Sequence, residues 1–453
     1  MIESWSQWTN FVSTSMSDDL LLHVVPLHDN IHSAENSPCI LFIKNLRQNQ
    51  IYYYGFGHPD IKSFQPLNHQ KVLDDLNAMK GIKWVIDKKS FMHMVPLQGL
   101  LDVGFAGYLR NNKVFEVSEF ETFAHALIRK NFLGRPGFGK FVPLVKHLES
   151  FSELCETCEK IIKTAVVDDA FRKFNTLIIE PLAEIEKHGL TIDPTAFKEY
   201  FGNILINSGK VFTQYNVYTS TGRPSNRFGG INYAALNKND GSRGVFISRF
   251  GSSGKLVLID YSAFHPRIIA FLTHYDLKPE IDIYEYLAKL YFSKSVVDEA
   301  DIADAKQITF RQLYGGVEEK YSHIKYFSHL KEFISYHWGF FNEHGYVETP
   351  IFKRKITNKH IQSPKPATVF NYLLQATEGE LSIPILGNVN EYLRSKKTKT
   401  ILYTYDSILF DYCLDDGPIM PEVKRLMSLD GKFPMKWYMG DNYHAMELLR
   451  YGE

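Results

Sequence analysis

A chain of 453 residues is long enough for roughly two or three domains and a substantial core. Hydrophobic residues at 44% and aromatics at 14% exclude a disordered chain. Lys plus Arg and Asp plus Glu stand at 51 each, so a net charge of zero excludes indiscriminate coating of nucleic acid but allows a local basic groove.

Four cysteines give no disulfide framework, and Cys155-Glu-Thr-Cys158 has no second pair or His pair at zinc spacing. Two half-buried thiols on an amphipathic helix and a reducing cytoplasm are expected. Met1 to Leu22 lacks the basic and apolar regions of a signal peptide, and no run approaches the roughly 20 apolar residues of a membrane span.

In chain order, Leu20–Leu27, Cys39–Lys44 and Gln50–Tyr54 are apolar or β-branched runs separated by polar turns, which predicts a β-meander. Lys83–Ile86 is a further strand, and Leu101–Leu109 and Phe120–Leu133 read as helices. Gly134-Arg-Pro-Gly-Phe-Gly-Lys140 has the look of a phosphate loop. Phe141 stands where Ser or Thr is needed, however, and a helix-like segment precedes it, so a linker is expected. Residues 166–192 predict a long amphipathic helix running into the turn Asp193-Pro194. A helix over Thr195–Asn207 and one strand fill the chain up to Thr221.

Lys255–Ile259 reads as a buried strand that ends in Asp260, where an unpaired carboxylate is costly to bury. Ser262–Leu272 follows as a helix or a bent strand. Lys306, Phe310 and Tyr314 stand four apart, so each lies about 40° round a helix from the last. One face thus offers a cation for a triphosphate and two rings, the second beside Gly315. Thr400–Phe410 carries Asp406 between two β-prone runs, the pattern of a tight hairpin with an acid near its bend. Two strand-borne aspartates can share a pair of Mg²⁺ ions, which in phosphoryl transfer lie roughly 3.5–4 Å apart. Lys353-Arg-Lys355 and Arg394–Lys399 are basic runs that could meet DNA phosphates but are at least as often solvated surface.

The Asp260, Lys306 and Asp406 stretches together resemble motifs A, B and C of family A DNA polymerases, the bacterial DNA polymerase I type. Thr221-Gly-Arg-Pro-Ser225 with Gly230-Ile-Asn-Tyr233, Ile179–Asp193, Asp282-Ile-Tyr284, Gly345–Thr349 and Phe370–Gln375 extend the resemblance over most of the chain. It implies a mixed α/β (α+β) fold: a ribonuclease-H-like exonuclease domain, then a right-hand palm and fingers with a much shortened thumb. The expected boundaries are 1–165 (degenerate exonuclease-like domain), 166–220 (connecting helix and vestigial thumb), 221–274 (palm), 275–345 (fingers) and 346–453 (palm again). The first strand holds no Asp-x-Glu, the second motif's Asp falls near Ser90, and only Glu149, Glu153 or Glu156 can supply a third acid. No nuclease activity is expected.

By the same resemblance, Asp260, Asp406 and the Tyr261 carbonyl bind two Mg²⁺ ions, with Mn²⁺ as a substitute, and Lys306 is catalytic. Lys306, Phe310, Tyr314, His265 and Arg311 contact the dNTP, while Arg223, Asn232, Asn371, Gln375 and Tyr405 contact primer–template DNA. The chain departs from the family at Ile302 (for Arg, with Arg311 as replacement), Ser407 (for Glu), Tyr405 (for His) and His265. His265 takes the place of the Glu that blocks a ribose 2′-hydroxyl. A free imidazole there offers that hydroxyl a hydrogen bond, so weaker sugar discrimination is expected. The function implied is DNA polymerisation without proofreading by a monomer, off the membrane, in a host cytoplasm if viral. A short thumb leaves room for a processivity factor. The alternatives are a catalytically impaired primer–template binding scaffold and a single-subunit RNA polymerase, which should lack an exonuclease-like domain.

Overall fold

The computed structural model describes residues 4–29, 31–61, 69–111, 120–202, 209–361 and 363–449. It divides into two compact units, Met1–Ala183 and Glu184–Glu453, so the division falls inside the segment 166–220 expected as a connector.

In the first unit, β1 (Leu20–Pro26), β2 (Pro38–Asn45) and β3 (Gln50–Gly55) form the expected antiparallel meander. Two further strands extend the sheet, β4 (Lys83–Val85) parallel to β1 and β5 (Leu100–Asp102) parallel to β4, giving the order β3-β2-β1-β4-β5. Parallel pairing needs crossovers, and the helices His69–Ala78 and Lys88–Met94 supply them. Because helices cover both faces, β1 and β2 are near-continuous apolar runs. Alternation then sorts them: Leu20, Leu22 and Val24 join Trp8, Phe11, Val72 and Leu76 in one core. On helix Leu144–Ile162, Phe151 stacks on Phe42 at 4.9 Å and on His23 at 5.9 Å. The same helix buries Leu154, Cys155 and Cys158 and leaves Glu149, Glu153 and Glu156 exposed.

Two helical expectations shift in this unit. Leu101–Leu109 begins as strand β5 and turns helical only over Val103–Asn111, because Asp102 accepts the Lys88 and Phe105 amides at 2.8 and 2.7 Å and starts the helix there. Phe120–Leu133 narrows to Phe123–Phe132, capped by the Thr122 hydroxyl. Gly139 lies so close to the Pro26 carbonyl that a Cβ would sit 2.3 Å from it, so this glycine serves packing. Helix starts at Asp169 rather than 166, with Asp168 as cap, and passes through a π-helical turn over Asn175–Ile179.

The second unit starts with small sheets: β6 (Leu190–Thr191) on β7 (Lys210–Val211), then β8 (Tyr215–Asn216), β9 (Ser225–Phe228) and β10 (Ile231–Asn232). Helix Pro194–Phe201, capped by Asp193, stops at Gly202. Its expected continuation to Asn207 lies mostly outside the described residues. The central strand β11 (Gly254–Tyr261) is followed by the hairpin β12 (Tyr346–Glu348) and β13 (Lys355–Thr357). Then come β14 (Lys399–Tyr403), β15 (Ser407–Cys413), β16 (Met435–Gly440) and β17 (Met446–Leu448). β11 lies mid-sheet in the order β14-β15-β11-β16-β17, antiparallel to both neighbours. Ser262–Leu272 resolves into the helix Phe264–Leu272. The long helices Glu299–Gly315, Lys325–His344 and Pro366–Tyr392 follow, the first with an Asp298/Asp301 capping box. Among the described residues no helix is long and apolar enough to cross a membrane.

Candidate active site

Period-two alternation along β11 buries Ile259 and Tyr261 and leaves Leu258 and Asp260 half-buried on the opposite face. The antiparallel registers set Asp260 opposite Ser407 on one side and Lys436 on the other. Between β14 and β15 the chain turns through Thr404-Tyr405-Asp406, with the Asp406 amide donating to the Thr404 carbonyl at 2.9 Å and Tyr405 in the left-handed region at φ +70°. The Tyr261 amide donates to the Asp406 carbonyl at 2.9 Å, which ties the end of β11 to the hairpin tip. Tyr261 is itself fixed by its hydroxyl on the Met427 carbonyl at 2.8 Å and by its ring on Phe264 at 4.4 Å.

The electrostatics follow from this placement. Burial first, then the Asp406 charge, pushes the Asp260 carboxyl up to about 6, against the pull of Lys238, Lys436 and Lys306. Burial and the Glu378 charge raise Asp406, while Arg223 and His265 oppose the rise. Two carboxylates in a strained negative field suit a cation, and hard oxygen donors suit Mg²⁺ or Mn²⁺. Among the described residues no group of three or more His, Cys, Asp or Glu is arranged to hold a metal. Mg²⁺ needs only one or two carboxylates when water and phosphate complete its shell, so the pair fits it.

Lys306, Phe310 and Tyr314 share one face of helix Glu299–Gly315, as their spacing predicts. Lys306 Nζ stands 5.8 Å from the Phe310 ring and 5.7 Å from the Tyr284 ring, and Phe310 and Tyr314 are 5.9 Å apart. Burial pushes the Tyr314 phenol up to about 12.

A chain of contacts runs from this helix to the hairpin tip. The Tyr314 hydroxyl lies 2.6 Å from His265 Nδ1, and His265 Nε2 lies 3.3 Å from Glu378 Oε2. Arg223 Nε is 2.8 Å from the same Glu378 oxygen, and the guanidinium stacks 3.6 Å over the Tyr405 ring. Gly222 makes this possible: it sits at φ +77°, and a Cβ there would meet Arg354 Nη2 at 2.8 Å. Asn371 Nδ2 donates to the Tyr314 carbonyl at 3.0 Å, and Gln375 lies one turn further along the same helix. Two expected residues stand outside this chain of contacts. Asn232 pairs with Arg227 in the small sheet, and the charge of exposed Arg311 acts on Glu318.

Sequence reasoning missed Glu378, Lys238 and Lys436. An acid inside the run Leu373–Ile383, apolar enough to be a buried helix, was the available signal for Glu378.

The class of fold is that of a polymerase domain. The POL domain of Pol1 from M. smegmatis, solved in complex with DNA primer–template and dNTP, is similar to this chain with a TM-score of 0.70. The likeness covers 98% of this chain and 99% of that one at 14% sequence identity, and so is a likeness of fold. No protein-family model matches the sequence. No curated protein matches it either.

Proposed function

We propose that the chain is a template-directed DNA polymerase of the family A type, which adds dNTPs to a primer 3′-hydroxyl without proofreading. The observation that carries this reading is the meeting of Asp260 and Asp406 at neighbouring strand ends, within the field of Lys306, in a chain with a polymerase-domain fold. Asp260 and Asp406, with the Tyr261 carbonyl, would hold two divalent ions, Mg²⁺ or Mn²⁺. Bound there, such ions supply a lowered hydroxyl pKa and charge neutralisation on the triphosphate. Lys306 would draw in the phosphates and hand a proton to the leaving pyrophosphate. Phe310 and Tyr314 would bracket the nascent base pair, with His265 on the sugar side. Arg223, Asn371, Gln375 and Tyr405 would line the primer–template.

The first unit is read as a ribonuclease-H-like relic, a reading that its strand order β3-β2-β1-β4-β5 supports. Phe151 packs on β1 where a nuclease would need acids, and burial holds the His23 imidazole neutral by pulling it down to about 3. The thumb is read as vestigial because helix Pro194–Phe201 and the two residues of β7 are the regular elements described between Asp193 and Tyr215. A distributive enzyme that gains from a processivity partner is the consequence.

The test is primer extension by the purified chain with Mg²⁺ and dNTPs, beside Asp260→Ala and Asp406→Ala. Extension by the wild type alone is expected, with primer–template binding kept in all three. Ser407, in place of a third acid, favours the scaffold reading. Binding without extension by the wild type would establish that reading instead.

A further inference from the structure

We propose that Glu378 is a positioning residue for sugar selection: it holds His265 and Arg223 and, through His265, fixes the Tyr314 hydroxyl as one wall of the nucleotide site. This rests on the polymerase reading above. Glu378 is 1% exposed in the middle of helix Pro366–Tyr392, and a carboxylate buried that deeply must be paired. Its partners come from separate parts of the unit: Arg223 from the turn after Gly222, and His265 from the first turn of helix Phe264–Leu272. Each partner has a second engagement inside the site. Arg223 lies flat on Tyr405, next to Asp406, and His265 meets Tyr314, on the helix that carries Lys306. One carboxylate therefore links the nucleotide-side helix to the hairpin that aims a metal-binding acid.

The imidazole orientation gives this link a chemical meaning. His265 Nε2 faces the carboxylate, where a proton is favoured, which leaves Nδ1 to accept from the Tyr314 hydroxyl. Nδ1 is then engaged, and Nε2 faces the carboxylate at 3.3 Å. The hydrogen bond to a 2′-hydroxyl expected from the sequence is already spent, and the edge-on His265–Tyr314 pair, 5.9 Å between centroids, presents a closed wall. The grip still has slack. Glu378 Oε2, His265 Nε2 and Arg223 Nε are close but off-line, and make no aligned hydrogen bond. Arg223 still holds the carboxylate by a hydrogen bond from Nη2 to Oε1 at 3.4 Å. A ribose would have to break the Tyr314–His265 contact and forfeit its hydrogen bond, which a deoxyribose does not.

The experiment measures kcat and KM for a dNTP and the matching rNTP on one primer–template, with the full chain, for wild type, Glu378→Gln, Tyr314→Phe and the double variant. Glu378→Gln keeps the size of the side chain and removes its charge. The expected result is a fall of about tenfold or more in the dNTP/rNTP ratio of kcat/KM, carried mostly by rNTP KM. Tyr314→Phe should cause a similar fall, and the double variant little more than either single one, because both break one chain of contacts. Equal losses for dNTP and rNTP would show that Glu378 merely supports the fold and would overturn the proposal. So would additive effects, or an unchanged ratio while wild type extends primers. If Glu378→Gln does not fold, an unchanged ratio in Tyr314→Phe overturns it alone. Failure of the wild type to extend any primer would remove the polymerase reading and this proposal together.

Discussion

Each unit holds a five-stranded sheet in which one strand carries an aspartate at or next to its last residue, and the two aspartates have opposite fates. At the end of β5, Asp102 is 1% exposed and accepts amide hydrogens from Lys88 and Phe105. Its charge is consumed by the backbone as a helix cap. At the end of β11, Asp260 receives no such amide among the described residues, and burial with the Asp406 charge raises it to about 6. The neighbourhood makes the difference. A helix starts directly after Asp102, whereas β11 runs on to Tyr261 between two antiparallel partners, and a second acid is brought alongside. A strand that ends in Asp is therefore ambiguous until the free amides and charges around it are counted. A spent carboxylate holds structure, and an unspent one is available to a ligand.

The comparison breaks most easily at the Asp260 side. Asp260→Ala or Asp406→Ala should lower primer extension at least about a thousandfold, roughly 4 kcal/mol of transition-state stabilisation, with DNA affinity little changed. A loss under tenfold in both would mean that neither acid is catalytic. In the first unit the large effect should be on stability. Phe151, 1% exposed and stacked on Phe42, should cost about 3 kcal/mol when truncated to Ala, read from chemical denaturation. The first unit should also trim no mismatched primer. Trimming that survives Asp260→Ala would show a second metal site there.

The two aspartates should then give opposite signs. Asp260 has a folded pKa of about 6 against an ordinary value of 3.8. Above pH 6 it is charged in both states and the fold bears the desolvation; as pH falls from 6 towards 4 the folded state takes up the proton first and the cost disappears. Asp260→Asn should thus stabilise the chain by about 2 kcal/mol at pH 7.5, with the gain fading below pH 5. Mg²⁺ should raise the Tm of the wild type more than that of the variant. Asp102→Ala should instead destabilise by about 1–2 kcal/mol through loss of its cap. Destabilisation by Asp260→Asn at pH 7.5 would place Asp260 with Asp102 as a structural acid.

What could be read from the sequence was local. The meander β1–β3 and the hairpin β14–β15 are consecutive runs joined by short turns, and Lys306, Phe310 and Tyr314 report a helix face by spacing alone. Leu101 and Asp102 read as the start of a helix because so short a stretch carries no period, and only parallel pairing with β4 makes Leu100–Asp102 a strand. The role of Glu378 could not be read because its Arg223 partner lies 155 residues away, and the sequence shows only two acids, Glu378 and Glu380, in a largely apolar helix. Which of His265's neighbours would occupy its nitrogens was likewise a tertiary matter.

Tyr405 carries a consequence of its own. Its left-handed backbone is one that a bulky L-residue adopts at a cost of roughly 1–2 kcal/mol, so the cheapest occupant of the turn would be glycine. Glycine would also remove the platform on which the Arg223 guanidinium lies. Position 405 thus answers to two incompatible criteria, comfort of the turn and support for an arginine, and the tyrosine satisfies the second. Relaxing the turn should give a hairpin that folds more readily yet lets the Asp406 carboxylate wander.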